Sequence, residues 1–198
     1  MKALIVYCHP KEQSFTAAIR DLIVQKLEAA GAEVRVNDLY RRNFHPVLSA
    51  HEIDIYFDSE SNTAPVAQDV KDLKWCDTLI FVYPTWWYGM PAMLKGWLDR
   101  VMVPDVAFKM PSDTRKGIQP GLTHIKRLGV FTTCGASRWL TLFIGAPGKR
   151  TLFRGVGLIC AKPLKKAFAA HYLMDSSTDT SRKNHLDRVA HTMERFLA

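Results

Sequence analysis

The chain has 198 residues, 47% of them hydrophobic and 23% charged, which fits one domain with a substantial core. No run of 18 apolar residues occurs, so the sequence predicts no transmembrane helix. The net charge of +8 favours anionic partners, but no nucleic-acid motif accompanies it, and a solvated basic face is the simpler explanation. The four cysteines are far apart and match neither C-x-x-C nor a zinc pattern, so we expect reduced thiols, a cytoplasmic protein and no metal site.

Apolar periodicity predicts strands and helices that alternate along the chain. Strands are expected at residues 2–8, 33–39, 78–83 and 126–133 and within 166–174, and helices at 14–30, 65–76, 147–159 and 181–197, with another from Pro91. Gly31 stands where a left-handed helix cap belongs. Two long connections, 41–62 and 104–125, interrupt the pattern, and the second should be largely irregular. The alternation predicts a parallel sheet with helices on both faces, in a single domain over residues 1–198.

The most informative segment is the apolar strand 79–83 with the aromatic loop after it. Pro84 is expected to end the strand, and Trp86, Trp87 and Tyr88 follow within the loop. Ligands of open parallel sheets bind beyond the carboxyl ends of the strands. The three aromatic rings there could pack against a flat ligand, while Gly89 lets backbone amides approach its polar edge. The alternative is that the rings cover a core or a dimer contact.

A second candidate segment is the turn from the first strand into the first helix. His9, Ser14, Phe15 and Thr16 lie here, where free helix amides and the helix dipole favour a phosphate. Ser14 could instead serve only as the helix N-cap, and His9 could make only a local loop hydrogen bond. The turn has neither G-x-G-x-x-G nor the longer phosphate loop ending in G-K-[ST]. The glycines at 145–149 are too closely spaced for a triphosphate site.

A third loop follows the fourth strand, where Thr132, Thr133, Cys134 and Gly135 are all small. Small residues at the carboxyl end of a strand permit close approach of the backbone to a ring. Cys134 could be a redox thiol, but no partner cysteine is predictable, so a wall residue is the simpler interpretation.

Residues 84–101 follow the pattern P-x-x-W-[FY]-G-x-P-A-x-L-K-G-W-x-[DE]-R-V throughout. This segment resembles the NAD(P)H:quinone reductase (DT-diaphorase) family of flavodoxin-like flavoproteins, which also includes ancillary subunits of bacterial potassium-efflux systems. Shorter matches support the resemblance: H-x-x-x-x-S-F at residues 9–15, F-x-P-x-x-S at 44–49, and three positions of T-T-G-G at 132–135. The resemblance implies a flavodoxin-like, doubly wound, five-stranded parallel sheet.

The resemblance also implies a cofactor, a reaction and an assembly. The cofactor would be FAD or FMN, NADPH or NADH would donate hydride, and a quinone would accept two electrons by a ping-pong mechanism, within a homodimer. Trp87 and Tyr88 would wall the reacting ring as the catalytic pair. The cofactor-binding residues implied are His9, Ser14, Phe15, Thr16, Pro84, Thr85, Trp86, Trp87, Tyr88, Gly89, Thr132, Thr133, Cys134 and Gly135.

The chain departs from the family pattern after the third loop. Better-known quinone reductases place a Tyr and then a His there, whereas this chain has Arg138, Trp139, Leu140 and Thr141 and neither of those residues before Gly148. Arg138 could supply positive charge instead, although surface solvation accounts for it equally well. Two other functions therefore stay open: a regulatory flavoprotein of the potassium-efflux type, and a one-electron flavodoxin, which the positive net charge disfavours.

Overall fold

The computed structural model describes residues 1–112 and 116–198. Within these ranges the strands are β1 (Lys2–Tyr7), β2 (Glu33–Asp38), β3 (Thr78–Thr85), β4 (Phe108–Lys109), β5 (Gln119–Pro120), β6 (Arg127–Cys134) and β7 (Lys165–His171). The α-helices are α1 (Phe15–Ala29), α2 (Ala50–Asp54), α3 (Ala67–Trp75), α4 (Ala92–Val101), α5 (Arg138–Phe143), α6 (Pro147–Arg150) and α7 (Asp179–Leu197).

The described strands form a five-stranded parallel sheet in the order β2-β1-β3-β6-β7, and β4 pairs with β5 separately. The strand order reverses direction at β1 and β3, as it does in flavodoxin-type doubly wound sheets. Two apolar clusters cover the faces of the sheet. Residues of α3 and α4 pack on one face, and residues of α1 and α7 pack on the other. The predicted fold class is confirmed.

The first helix begins and ends where its sequence predicts. The Ser14 hydroxyl caps the N-terminus by accepting the Ala17 backbone N–H at 3.1 Å. At the other end Gly31 has a φ of +72°, and its N–H and that of Ala32 donate to the carbonyls of Glu28 and Leu27. These two bonds form a Schellman motif, which explains why glycine stands at position 31.

The third strand is longer than predicted, because Pro84 continues it as far as Thr85. Strand β1 pairs with β3 only as far as Val82, so beyond that point β6 is the one neighbour in the described sheet. Proline lacks a backbone N–H and is tolerated where one side of a strand is unpaired. The prediction that Pro84 ends the strand was therefore wrong.

The long connections contain more structure than expected. Residues 41–62 hold α2, and the described part of 104–125 holds β4 and β5, while residues 113–115 of that predicted irregular segment lie outside the described residues. The helix predicted over 147–159 divides into α6 and a π-helical segment, Thr151–Val156.

Helix α4 fixes the 41–62 connection against the sheet. The Arg100 side chain donates to a Glu52 carboxylate oxygen at 2.6 Å and to the His45 carbonyl oxygen. Gly96 faces Pro46 so closely that a Cβ at position 96 would lie 2.5 Å from the Pro46 Cβ, and nearer still to its carbonyl oxygen. The G-W-x-D-R part of the family pattern thus holds this connection in place.

Candidate functional site

A cleft of about 370 Å³ opens beyond the carboxyl ends of β1, β3 and β6, where the doubly wound sheet places its ligand. It brings together residues from all three predicted loops and from the turn after β7. The lining residues are His9, Phe15, Thr16, Pro84, Thr85, Trp86, Trp87, Thr133, Cys134, Gly135, Met174 and Asp175.

Threonine hydroxyls join the three loops to one another. The Thr16 and Thr133 hydroxyl oxygens lie 3.2 Å apart, and those of Thr85 and Thr132 lie 2.8 Å apart. These hydrogen bonds link α1 to β6 and β3 to β6. Of these threonines Thr16 lies in the first turn of α1 and lines the cleft, where helix amides favour an anion.

His9 lies on the wall of the cleft, with its ring 6.5 Å from that of Trp86. Its Nδ1 is 3.0 Å from both the backbone nitrogen and the carbonyl oxygen of Lys11. Nδ1 is thus engaged by the loop, and Nε2 is the ring nitrogen through which His9 can reach a ligand. Burial lowers the pKa of the imidazole, so the neutral form, which can donate one hydrogen bond, predominates at neutral pH.

The aromatic loop is a strained tight turn. Trp86 and Gly89 exchange backbone hydrogen bonds of 3.2 and 3.0 Å, and the two residues between them, Trp87 and Tyr88, have φ values of +49° and +63°. Two left-handed residues in succession define a type I′ turn, which normally takes Asn-Gly. Each bulky residue held in this region costs about 1–3 kcal/mol, and such strain clusters at functional sites. Trp87 is 94% exposed, so burial in the protomer does not offset this cost.

Four residues predicted as cofactor ligands do not line the cleft. The Ser14 hydroxyl is used as the α1 cap, and Gly89 closes the aromatic turn. Tyr88 and Thr132 instead line an adjacent cavity of about 20 Å³, which they share with Thr141, Lys149 and Tyr172 among others. A cavity of this size holds about one water molecule.

Two residues of the cleft, Met174 and Asp175, were missed by sequence reasoning. They lie in a short 3₁₀ turn, Met174–Ser176, that follows β7. An Asp175 carboxylate oxygen would be 2.7 Å from a Cβ on Gly135, so the Asp175 side chain lies directly against the third loop. Their position just past the carboxyl end of a strand was the only signal available.

A third cavity, of about 400 Å³, lies behind Phe15. The Phe15 ring packs on the rings of His171 and His185, at centroid distances of 5.2 and 5.9 Å. Both imidazoles are buried, and neither His185 nitrogen has a hydrogen-bond partner among the described residues. Burial is the main cause that lowers the pKa of His185 to about 4, and the charges of His171 and Arg188 lower it further.

The thiols are free and buried. Burial raises the pKa values of Cys8, Cys76 and Cys160 to about 12, which makes them unreactive at neutral pH. Cys134 lines the cleft, with its Sγ 3.6 Å from the Thr141 hydroxyl oxygen. The described residues include no cluster of three or more His, Cys, Asp or Glu side chains placed to hold a metal ion. Nor is any described helix long and apolar enough to cross a bilayer.

The sheet order and the cleft at its carboxyl edge define the doubly wound α/β proteins that bind nucleotides at this position. A family model described as "Flavodoxin-like fold" matches residues 1–153. The chain belongs to that family, Flavodoxin_2.

Individual relatives agree with this assignment. The chain is 35% identical over 142 residues to an uncharacterized NAD(P)H oxidoreductase of Haemophilus influenzae, covering 69% of this chain and 66% of the relative. It is 30% identical over 156 residues to the ribosyldihydronicotinamide dehydrogenase [quinone] of Mus musculus, covering 71% and 66%. The crystal structure of Smu.1420 from Streptococcus mutans superposes with a TM-score of 0.80 at 29% identity, covering 98% of this chain and 100% of the other.

These names confirm the resemblance to the NAD(P)H:quinone reductase family that residues 84–101 indicate. The matches span slightly less than two thirds of each of these two relatives' own length. What the relatives act on is therefore a guide to this chain's function rather than a statement of it.

Proposed function

We propose that this protein is a flavin-dependent NAD(P)H:quinone oxidoreductase. The observation that carries the proposal is the convergence of three loops on one cleft, with a strained aromatic turn on its wall. A bound flavin would supply the chemistry, taking hydride from NAD(P)H and passing two electrons to a quinone. The protein has only to bind, orient and shield the reacting rings.

The residues of the cleft fit a flavin in two regions. The first turn of α1, with Thr16 and the Nε2 of His9, suits the phosphate, because helix amides and neutral donors favour an anion there. The backbone of Gly135 and the rings of Trp86 and Trp87 suit the flat ring. Tyr88 lines the adjacent cavity rather than the cleft, and its proposed role is to form part of the wall where the quinone binds.

The proposed active unit is a homodimer. Several large apolar side chains of the aromatic turn and of α5 are exposed in the single chain: Trp87 by 94%, Trp139 by 72%, Leu142 by 55% and Phe143 by 76%. The Trp139 and Phe143 rings stack at 5.5 Å on one face of α5. An apolar patch of this kind is typical of an interaction site, and a second copy would cover it and narrow the cleft.

The proposed flavin is FAD. The cavity behind Phe15 lies next to the cleft, at the same edge of the sheet, and could receive the adenosine half. The buried His185 nitrogens have no partner among the described residues, and a purine and a ribose would supply donors and acceptors to them. The 41–62 connection contributes no lining residue to the cleft or to the cavity behind Phe15. The mass of the flavin released by heat distinguishes the proposed FAD from FMN.

The four free cysteines support the proposal that the protein works in the reducing cytoplasm. The regulatory alternative receives no support from the relatives described above, whose names are those of oxidoreductases.

Turnover tests the proposed function directly. Purified protein reconstituted with flavin should oxidise NADPH or NADH when a benzoquinone is present, with parallel lines in double-reciprocal plots, as a ping-pong mechanism requires. Removal of the flavin should abolish the reaction. If flavin-loaded protein shows no acceptor-dependent oxidation of either donor, the enzyme assignment is wrong.

The strained turn gives a second test. Replacing Trp87 with Asn and Tyr88 with Gly supplies the residues that a type I′ turn prefers. Relief of about 1–3 kcal/mol at each position, less the packing lost with the half-buried Tyr88 ring, should make unfolding cost more than in the wild type. The same change removes two rings from the site, so turnover and flavin affinity should fall. Urea denaturation and flavin titration of one preparation measure both effects. Unchanged turnover would show that the Trp87 and Tyr88 rings take no part in the reaction.

A further inference from the structure

The positive charge of this protein is concentrated in one part of the chain. Residues 126–174 contain nine Lys and Arg and no Asp or Glu, whereas the rest of the chain contains 18 Lys and Arg and 19 Asp and Glu. The nine are Lys126, Arg127, Arg138, Lys149, Arg150, Arg154, Lys162, Lys165 and Lys166. The remainder of the molecule is therefore close to neutral, and the net charge resides in this acid-free segment.

None of the nine cations forms an ion pair within residues 1–112 and 116–198. In the 35–100 region, Arg35, Arg42, Lys95 and Arg100 are each paired with a carboxylate, whereas Arg41, Lys71 and Lys74 form no ion pair with a described residue. Unpaired cations that share one surface raise the local concentration of anions.

Part of the acid-free segment stands beside the aromatic turn. A Cβ on Gly148 would lie 3.1 Å from the Tyr83 hydroxyl and 3.5 Å from the Gly89 carbonyl carbon, so α6 packs directly against that turn. Arg150, two residues on, is exposed, with its guanidinium 3.1 Å from where a Cβ of Gly145 would lie. Lys149 lines the cavity that contains Tyr88.

Arg138 is the arginine of this segment that follows the third loop. It is exposed and begins α5, three residues after Gly135 in the cleft wall. Burial raises the pKa of the Tyr172 phenol in the adjacent cavity, and the nearby charge of Arg138 opposes that rise. The acid that lines the described cleft is Asp175, on the turn after β7.

We infer that Arg138 and Arg150 select phosphorylated nicotinamide dinucleotides as hydride donors, in preference to an uncharged ribosyl dihydronicotinamide. The inference rests on the proposed function. NADPH carries two more negative charges than NADH when its 2′-phosphate is fully ionised, so the preference should follow the order NADPH, NADH, uncharged riboside. Electrostatic attraction of this kind raises association rates by about 10- to 1,000-fold and weakens as salt is added.

The chain offers a matched control for charge. Lys162 and Lys165 are exposed members of the same acid-free segment, but they lie at the amino end of β7. Seven strand residues, or about 20 Å at roughly 3.3 Å per residue, separate that end from the carboxyl edge that carries the cleft. Reversing either pair of charges changes the net charge by the same amount.

The experiment compares two double variants. Arg138→Glu/Arg150→Glu is called the near pair, and Lys162→Glu/Lys165→Glu, at the opposite edge of the sheet, is called the far pair. Glu is well tolerated at the first turn of α5, and Arg150 is exposed and forms no ion pair with a described residue, so the near pair should fold. The ratio of kcat/KM for NADPH to that for the riboside should fall at least tenfold in the near pair and less than twofold in the far pair. High salt should lower the same ratio in the wild type. Equal ratios in all three proteins would overturn the inference.

Binding of unreactive NADP⁺ to the flavin-loaded protein, followed by flavin fluorescence, provides a readout that does not depend on turnover. The near pair should lose about tenfold in affinity, and the far pair less than twofold. If this pattern appears without quinone turnover, donor recognition stands and the proposed reaction fails. If turnover appears but NADP⁺ affinity is the same in every variant, the reaction stands and the inference fails.

Discussion

Replacing Gly96 with Ala is expected to lower the free energy of unfolding by at least about 3 kcal/mol. The added methyl group would meet the backbone carbonyl and the Cβ of Pro46, neither of which is the flexible end of a side chain. Overpacking costs about 1–3 kcal/mol where neighbours can shift, and more where backbone must move. The 41–62 connection would have to detach from α4, which also strains the hydrogen bonds from Arg100 to Glu52 and His45.

Gly155→Ala is the matched control, because a Cβ on Gly155 would have no neighbour within 4 Å. This substitution should be neutral, or stabilise by about 0.5–1 kcal/mol through the lower entropy of the unfolded chain. Urea denaturation of both variants gives the comparison. A Gly96→Ala protein as stable as the control would show that Pro46 is not held against α4 in solution.

Acidification should destabilise the protein through His185. The folded state lowers the pKa of this imidazole from 6.5 to about 4, so between these pH values the unfolded chain binds a proton that the folded chain excludes. The contribution is fully present above pH 6.5 and is lost as the pH falls towards 4. The lowering of this pKa from 6.5 to about 4 corresponds to about 3 kcal/mol of unfolding free energy.

His185→Leu isolates this contribution from carboxylate titration. At neutral pH the variant should be more stable by about 1–3 kcal/mol, because it removes a buried polar ring without partners. Between pH 7 and pH 4.5 the wild type should lose about 2–3 kcal/mol more than the variant in urea denaturation. Parallel losses in the two proteins would mean that His185 titrates normally in the folded state.

Much of the fold could be predicted because local patterns and tertiary packing agree. The strand at 78–83 is apolar at every position but its first, as a strand buried on both faces requires. Ser14 and Gly31 are residue types that favour the start and the end of a helix, so both ends of α1 could be predicted. The convergence of the three loops follows from parallel topology, since carboxyl ends of neighbouring strands meet at one edge.

The remainder depended on contacts between distant parts of the chain. Pro84 could stay in β3 only because β1 ends earlier, and strand lengths cannot be compared before the register is known. Asp175 lies against Gly135 in the cleft, although 40 residues of sequence separate the two. The burial of His171 and His185 behind Phe15 likewise joins β7, α7 and α1, and neither histidine belongs to a recognisable motif.

The outer strands of the sheet limit how this protein can assemble. Strand β7 begins with two exposed lysines, Lys165 and Lys166, and β2 carries Glu33 and Arg35 along the opposite rim. Charged residues on an edge strand discourage pairing with a strand of another chain. Two copies should therefore associate through helices and loops rather than by extending the sheet. The same charges should discourage aggregation by strand pairing between chains that have not finished folding.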